Sequence, residues 1–190
     1  PRFVAGVDCA FSRDKRFIYS VALVWDRQRD EVVDLSEVIL PNDIPYVPGF
    51  LSFREGPAAT AAVGGLKHPL RAALFDGQGF AHPRRCGFAS HVSVEMNLVG
   101  AGVAKSRLIG MHMEPGPARG DSTPLMDEDE EIGVVLRTRD GTRPLYISVG
   151  NRIDLPSAQR LVLACCTRYR IPEPTRRADR AVAALKKKSS

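Results

Sequence analysis

The sequence predicts an α/β fold in which a mixed central sheet, a three-strand antiparallel meander plus parallel strands, is flanked by helices. Residues 3–11, 17–26 and 31–40 form three apolar segments separated by short polar turns, and parallel neighbours would need a longer crossover. A helical segment and another apolar segment follow. This strand, helix, strand order implies a right-handed crossover and a sheet that is parallel in part.

The later elements are assigned from turn residues, helix caps and apolar periodicity. The crossover helix is expected over residues 52–62, because glycines at 64 and 65 end it. The other expected elements are a strand at 70–75, a helix from Pro83 to about residue 98, a strand at 99–104, a surface loop at 113–131, two strands within 132–149, a helix from Asp154 and a last helix at 174–185.

Composition and charge limit the class of protein. The 190 residues suit a single domain, 1–190, and the net charge of +5 with a pI near 9.3 favours an anionic partner such as nucleic acid. A basic tail at 186–190 is expected to be disordered. The four cysteines have neither zinc-type nor disulfide-type spacing, and no apolar run reaches membrane-spanning length. We therefore expect a cytoplasmic monomer with no membrane contact, and the start at Pro1 suggests trimming.

Three carboxylates occupy related places in this scheme. Asp8 lies within the first strand, Glu55 in the crossover helix, and Asp76 at the end of the next strand. A buried carboxylate is costly unless a partner or a cation offsets its charge. Each residue also has a structural interpretation: Asp8 as a hydrogen-bonded strand-end residue, and Glu55 as half of a capping box with Ser52. Together, converging oxygen ligands favour Mg²⁺ or Mn²⁺ and, in a basic chain, phosphodiester cleavage.

A meander, a crossover helix and acidic residues in these places resemble the plan of the RNase H-like nucleases. Five segments give a closer likeness: GVDCAF from Gly6, PYVPGFLSFREGP from Pro45, DGQGFAHPRR from Asp76, GVAKSRL from Gly102 and YRIPEPTRRAD from Tyr169. In these segments the sequence resembles the endonuclease V family of deoxyinosine-specific nucleases, over almost its whole length. The resemblance implies Mg²⁺-dependent DNA repair, with Mn²⁺ able to substitute, by hydrolysis of the second phosphodiester bond 3′ to hypoxanthine, leaving 3′-hydroxyl and 5′-phosphate ends.

The resemblance also implies roles for individual residues. Asp8, Glu55 and Asp76 become the metal ligands, Lys105 contacts the phosphate near the metal, and His82 assists there. Tyr46 becomes the wedge that fills the gap left by the extruded base, held rigid by its neighbours. The residues expected to bind substrate are Pro45, Tyr46, Val47, Pro48, Gly49, Leu51, Gly77, Gly87, Phe88 and Gly102. A backbone N–H facing the base would select against adenine, and a tight wall would exclude guanine.

One departure from the family pattern leaves alternatives open. Asn151 stands where the family commonly has a histidine near the metal site, and an asparagine cannot exchange a proton near neutral pH. We therefore expect Asn151 to be an outer-shell residue that lowers turnover or changes its metal dependence. Two other functions compete with the DNA repair enzyme: an endoribonuclease specific for inosine in RNA, and an inosine-binding module with weakened catalysis.

Overall fold

A computed structural model describes residues 1–43 and 51–189, and the side chains of residues 51–53 are outside this description. In this part of the chain there are eight strands and four helices. In chain order they are β1 (Phe3–Phe11), β2 (Phe17–Asp26), β3 (Glu31–Pro41), α1 (Leu51–Gly64), β4 (Ala73–Phe75), α2 (Phe88–Glu95), β5 (Gly100–Ala104), β6 (Ser122–Asp127), β7 (Glu130–Leu136), β8 (Leu145–Asn151), α3 (Leu155–Cys165) and α4 (Glu173–Lys188).

All eight strands belong to one mixed sheet, in the order β3-β2-β1-β4-β5-β8-β7-β6. β1, β2 and β3 form the predicted antiparallel meander, and β4 pairs in parallel with β1 on one side and β5 on the other. β8, β7 and β6 then extend the sheet with antiparallel pairings. The predicted mixed sheet is confirmed, and its parallel centre brings the carboxyl ends of β1, β4 and β5 to one edge.

Helices cover both faces of the sheet, and the alternation of side chains along β1 separates the two cores. Val4 packs with α3 and α4 residues such as Val162 and Ala178. Ala5 and Val7 point the other way and pack with α1 and α2. Asp8 is four residues after Val4, so its side chain lies on the same face of β1, which is the face that α4 covers.

Two predicted elements differ from the structure. The helix expected from Pro83 begins at Phe88, because residues 82–87 form a turn in which Arg85 has a positive φ of 53°. The loop expected at 113–131 contains β6 and the start of β7. Pro124 argued against a strand, yet β6 is one of the two edge strands of this sheet, where a missing backbone donor is tolerated.

Part of the basic tail that the sequence predicts to be disordered, residues 186–188, lies in a helix in this structure. Helix α4 extends through Lys188, with three lysines in its last turn. Cations at this end interact favourably with the partial negative charge of the helix carboxyl terminus. The basic run is therefore a helix end. Among the described residues, no helix combines the length and apolar character that crossing a membrane requires.

Candidate metal centre and active-site cavity

Three aspartates from separate elements meet at the carboxyl edge of the parallel strands. Val7 pairs with Phe75 in the parallel register of β1 and β4, so Asp8 and Asp76 are neighbours. Asp179 approaches from α4. Each of the three offers one carboxylate oxygen, and these oxygens all lie within 4.8 Å of one another. Asp8 is buried, Asp76 is half-buried and Asp179 is exposed.

A buried ionic network fixes the start of α4, which carries Asp179. The carboxylate of Glu173 is 2% exposed and accepts hydrogen bonds from Arg176 at 2.5 Å and Arg177 at 3.1 Å. Arg177 also reaches Asp30, in the turn between β2 and β3, at 2.6 Å. The bond between Arg177 and Asp30 ties the helix to the sheet. Glu173 keeps both arginines in place, because a buried carboxylate without a partner would be costly.

Lys105 follows β5 and is the cation nearest to the carboxylates. Its ammonium donates a short hydrogen bond to Asp76 and lies 3.6 Å from Asp179. Burial acts to lower the pKa of Lys105, but the hydrogen bond to Asp76 and the surrounding carboxylates outweigh it and raise the pKa. Lys105 thus remains charged and neutralises part of the cluster.

The remaining negative charge is crowded. Burial, with repulsion from Asp76, raises the pKa of Asp8 to about 7, although the backbone N–H of Cys9 donates to this carboxylate at 2.8 Å. Burial and the charge of Asp8 raise the pKa of Glu55 to about 8. A cation among these groups would reverse both effects.

The donor set fits a divalent cation. Mg²⁺ takes oxygen ligands at about 2.1 Å in octahedral geometry, so two ligand oxygens on opposite sides of it are about 4.2 Å apart. The 4.8 Å limit on the three aspartate oxygens matches this spacing. Carboxylates without thiolate or imidazole in the cluster favour a hard ion. The residues that would hold it are Asp8, Asp76 and Asp179.

Glu55 lies in the same cavity but outside this group of three. It projects from α1, which covers the opposite face of the sheet from α4. Glu55, a ligand expected from the sequence, lines the cavity that holds the three aspartates, and Asp179 was not among the expected ligands. The missed residue ends the YRIPEPTRRAD segment, and an acidic residue closing that motif was the available signal.

The cavity has a volume of about 610 Å³, and it is lined by residues predicted to be catalytic and by residues predicted to bind substrate. Besides the carboxylates and Lys105, its walls include Gly77, His82 and Phe88. His82 is buried, and its Nδ1 accepts a hydrogen bond from the backbone N–H of Arg84 at 3.2 Å, which leaves Nε2 as the donor. Burial, followed by the charge of Arg84, lowers the pKa of His82, so the ring is neutral at pH 7.

The turn that carries His82 is held against the turn between β6 and β7. Arg85 donates to the carbonyl of His82 at 3.2 Å, to Asp127 at 2.8 Å and to Glu130 at 2.7 Å. Two of the acidic residues around the β6–β7 turn therefore serve as anchors for this loop. The clamp also restrains the segment leading to Gly87 and Phe88.

Two of the predicted pocket glycines have a packing role. A Cβ on Gly102 would lie 2.5 Å from the carbonyl oxygen of Gly77 and from the backbone N of Gly79. A Cβ on Gly87 would lie 2.5 Å from the carbonyl oxygen of Gln78. Both glycines allow the 77–79 loop to pass close to neighbouring backbone. Residues 45–49 and the side chain of Leu51, which complete the predicted wedge and pocket, lie outside the described residues.

Asn151 is not near the metal cluster, which corrects the expectation that it is an outer-shell residue. It pairs with Gly100 at the start of β5, whereas Lys105 follows the end of that strand. Its amide donates to the carbonyls of Ser93 at 3.2 Å and Leu98 at 3.0 Å. The residue joins α2 and the loop after it to β8, and the sequence could not reveal which strand end it occupied.

Comparisons with known proteins agree with this geometry. The family model described as Endonuclease V matches residues 1–180. Endonuclease V of Roseiflexus sp. is 48% identical over 178 residues, which are 94% of this chain and 79% of that protein. The crystal structure of Endonuclease V from Streptomyces avermitilis is 41% identical with a TM-score of 0.94, covering 99% of this chain and 83% of the other.

More distant structures extend the comparison. Endonuclease V of Ciona intestinalis, in complex with a 24mer DNA containing an inosine followed by a ribo-adenosine, is 25% identical with a TM-score of 0.83, covering 100% of this chain and 87% of the other. The Argonaute of A. aeolicus matches at a TM-score of 0.56 and 13% identity, over 95% of this chain and 28% of the other, which shows the fold alone. The predicted fold class is confirmed.

Proposed function

The chain belongs to the endonuclease V family of metal-dependent deoxyribonucleases, and from this premise we propose that it cuts DNA at the second phosphodiester bond 3′ to deoxyinosine, leaving 3′-hydroxyl and 5′-phosphate ends. The observation that carries the proposal is the meeting of Asp8, Asp76 and Asp179 beside Lys105 in one cavity. The complex of the Ciona relative with inosine-containing DNA supports the choice of substrate.

Each residue of the cavity has a role in this proposal. Asp8, Asp76 and Asp179 would hold Mg²⁺, or Mn²⁺ in its place, and Glu55, which lines the same cavity, would be a further ligand, as the sequence predicts. The bound ion supplies charge neutralisation at the attacked phosphate and a lowered pKa for the attacking water. Lys105 pairs with a phosphate oxygen, and His82 donates a neutral Nε2–H to another.

The cut position is the direct test. An oligonucleotide with a single deoxyinosine and a label at its 5′ end, incubated with the protein and MgCl₂, is expected to give one labelled product, which ends one nucleotide 3′ to the deoxyinosine. A matched oligonucleotide with deoxyadenosine should stay intact. Cuts at random positions, or equal cutting of both strands, would show that the substrate assignment is wrong.

Substitution of Asp76 tests the metal assignment separately. Asp76→Ala should abolish Mg²⁺-dependent nicking, because it removes an oxygen ligand at the centre of the cluster. Glu31→Gln is the matched control, since Glu31 is an exposed carboxylate at the far end of the sheet. Nicking that persists in Asp76→Ala at the wild-type rate contradicts the assignment.

The proposed role of Tyr46 as a wedge can be tested on duplex and single-stranded substrates. Tyr46→Ala should slow cutting of duplex substrate more than cutting of single-stranded substrate, because a base in a single strand needs no wedge to leave a duplex. Tyr46→Phe retains the ring and should restore most duplex activity. Equal losses on both substrates would refute the wedge role.

Cleavage of inosine in RNA remains a second candidate, favoured by the ribo-adenosine that follows the inosine in the Ciona complex. Matched DNA and RNA strands of one sequence separate the two functions by their kcat/KM values. The binding-module alternative was motivated by Asn151, and it loses that support because Asn151 lies at the opposite end of β5 from Lys105.

A further inference from the structure

A second cavity adjoins the metal cavity and shares three residues with it. It has a volume of about 460 Å³, and residues 105–107 line both spaces. The strand register explains the juxtaposition. Ala104 pairs with Tyr146, so the chain leaving β5 and the turn entering β8, residues 141–144, lie side by side. The basic groove, defined as residues 105–107 with 141–144, thus continues the metal cavity.

The charges around the groove do not balance. Four cations line it, Lys105, Arg107, Arg137 and Arg143, against one carboxylate, Glu114. Arg137 is committed to structure, since its guanidinium donates to Glu114 at 2.7 Å and to the carbonyl of Gly116 at 2.9 Å. Lys105 is committed to the metal cluster. Two guanidinium groups are left.

Arg107 and Arg143 are exposed, and no hydrogen bond or ion pair of either is found within residues 1–43 and 51–189. The positive charge of Arg143 also acts on a second arginine, Arg170. Burial lowers the pKa of Arg170, and the positive charge of Arg143 lowers it further. The Nε of Arg170 is buried without a hydrogen-bond partner. Two exposed guanidinium groups that line one groove without a pairing carboxylate in this part of the chain indicate a site for an anion.

We propose that the basic groove binds a backbone phosphate of the nucleic-acid strand that enters the metal cavity, and that Arg107 and Arg143 hold it. This inference rests on the proposed function, because it assumes a nucleic-acid substrate. The planar guanidinium offers paired donors that match phosphate oxygens. Gln78 donates to the carbonyl of Ser106 at 3.0 Å and so couples the groove to the loop after Asp76.

The salt dependence of binding gives the first test. Fluorescence anisotropy of labelled single strands, with EDTA present to prevent cutting, compares wild type with Arg107→Ala, Arg143→Ala and the double variant. Each single variant should bind about tenfold more weakly and lose about one-half to one unit from the slope of log K against log salt. Arg29→Ala, which also removes an exposed charge but at the amino-terminal end of β1, away from the groove, should bind as wild type does.

Strands carrying one neutral methylphosphonate linkage locate the contact. Scanning the linkage along the strand should weaken wild-type binding at the phosphate held in the groove, and that loss should vanish in the double variant. Steady-state cutting should show a raised KM with little change in kcat. If both arginine variants bind as Arg29→Ala does, or the scan is identical in wild type and double variant, the inference is wrong.

The same experiment separates this inference from the proposed function. The arginine variants should lose affinity equally for strands with and without deoxyinosine, because a phosphate contact carries no sequence information. If the protein does not cut at deoxyinosine but the arginine variants still lose affinity, the groove is supported and the proposed substrate is wrong. If the protein cuts at the expected bond but the arginine variants bind as tightly as wild type, only the inference about the groove is wrong.

Discussion

Asp8→Asn should make the metal-free protein more stable while removing its response to Mg²⁺. At the 4.8 Å limit on the aspartate oxygens, and with an effective dielectric constant of about 20, two unit negative charges repel by about 3.5 kcal/mol. The substitution removes two of the three repulsive pairs, and it also gives up some attraction to Lys105. A pKa of about 7 for Asp8 leads to the same order, about 4 kcal/mol.

After allowance for solvent at the exposed Asp179, we expect Asp8→Asn to gain about 2 to 4 kcal/mol in the free energy of unfolding in EDTA at pH 8. For a chain of this length that is a rise in Tm of about 4–16 °C. Saturating MgCl₂ should stabilise the wild type by about 3 kcal/mol at one hundred times the dissociation constant and leave the variant unchanged.

Urea unfolding followed by circular dichroism, with and without MgCl₂, measures both effects. Glu31→Gln serves as the control, because its exposed ion pair with Arg29 contributes little. A variant with a native spectrum that is less stable than wild type in EDTA would refute the crowding argument. Equal stabilisation of wild type and variant by Mg²⁺ would refute the ligand assignment.

Three further predictions concern the surroundings of the centre. Gly102→Ala should lower the free energy of unfolding by about 3 kcal/mol or more, since its Cβ would lie 2.5 Å from backbone atoms, while Gly64→Ala, with only Met96 at 3.8 Å, should be nearly neutral; equal urea midpoints would contradict this. Because the folded pKa of His82 is lowered, its neutral ring should contribute stability that is lost as pH falls below about 6.5, down to the lowered value. NMR titration should show that pKa rising in Arg84→Ala but staying below 6.5, and a pKa above 6.5 in wild type would refute the burial argument. Asn151→His should cost about 1–3 kcal/mol, because two carbonyls lose their donor, without changing the preference between Mg²⁺ and Mn²⁺; an altered preference in nicking assays would restore its outer-shell role.

Local patterns predicted the meander side of the sheet well and the β6 edge poorly. β1, β2 and β3 are long apolar segments with short turns, so composition and connection length were enough. β6 is an edge strand with the sequence STPLMD, and its proline suggested a loop. The start of α2 was misplaced because Pro83 suits a first helical turn, whereas the clamp of Arg85 on Asp127 and Glu130 belongs to tertiary structure.

The candidate site was predictable where the chain supplies it from neighbouring strands. Asp8 and Asp76 were expected to converge because β1 and β4 were expected to be parallel, and the register confirms this. Asp179 is about 100 residues further along the chain, on a helix whose docking position no local pattern reveals. The error over Asn151 has the same origin, because a motif position does not state which end of an antiparallel strand it occupies.

A single close approach explains how that distant helix completes the centre. A Cβ on Gly6 would lie 2.1 Å from the carbonyl oxygen of Pro174, so β1 and the first turn of α4 touch through bare backbone. From this contact Asp8 is two residues along a strand, about 6.6 Å, and Asp179 is five residues along a helix, about 7.5 Å. The two carboxylates therefore rise by nearly equal distances from one point and meet beside Asp76. The glycine of GVDCAF and the proline of YRIPEPTRRAD thus act together, and the geometry of the metal centre depends on a residue that bears no functional group.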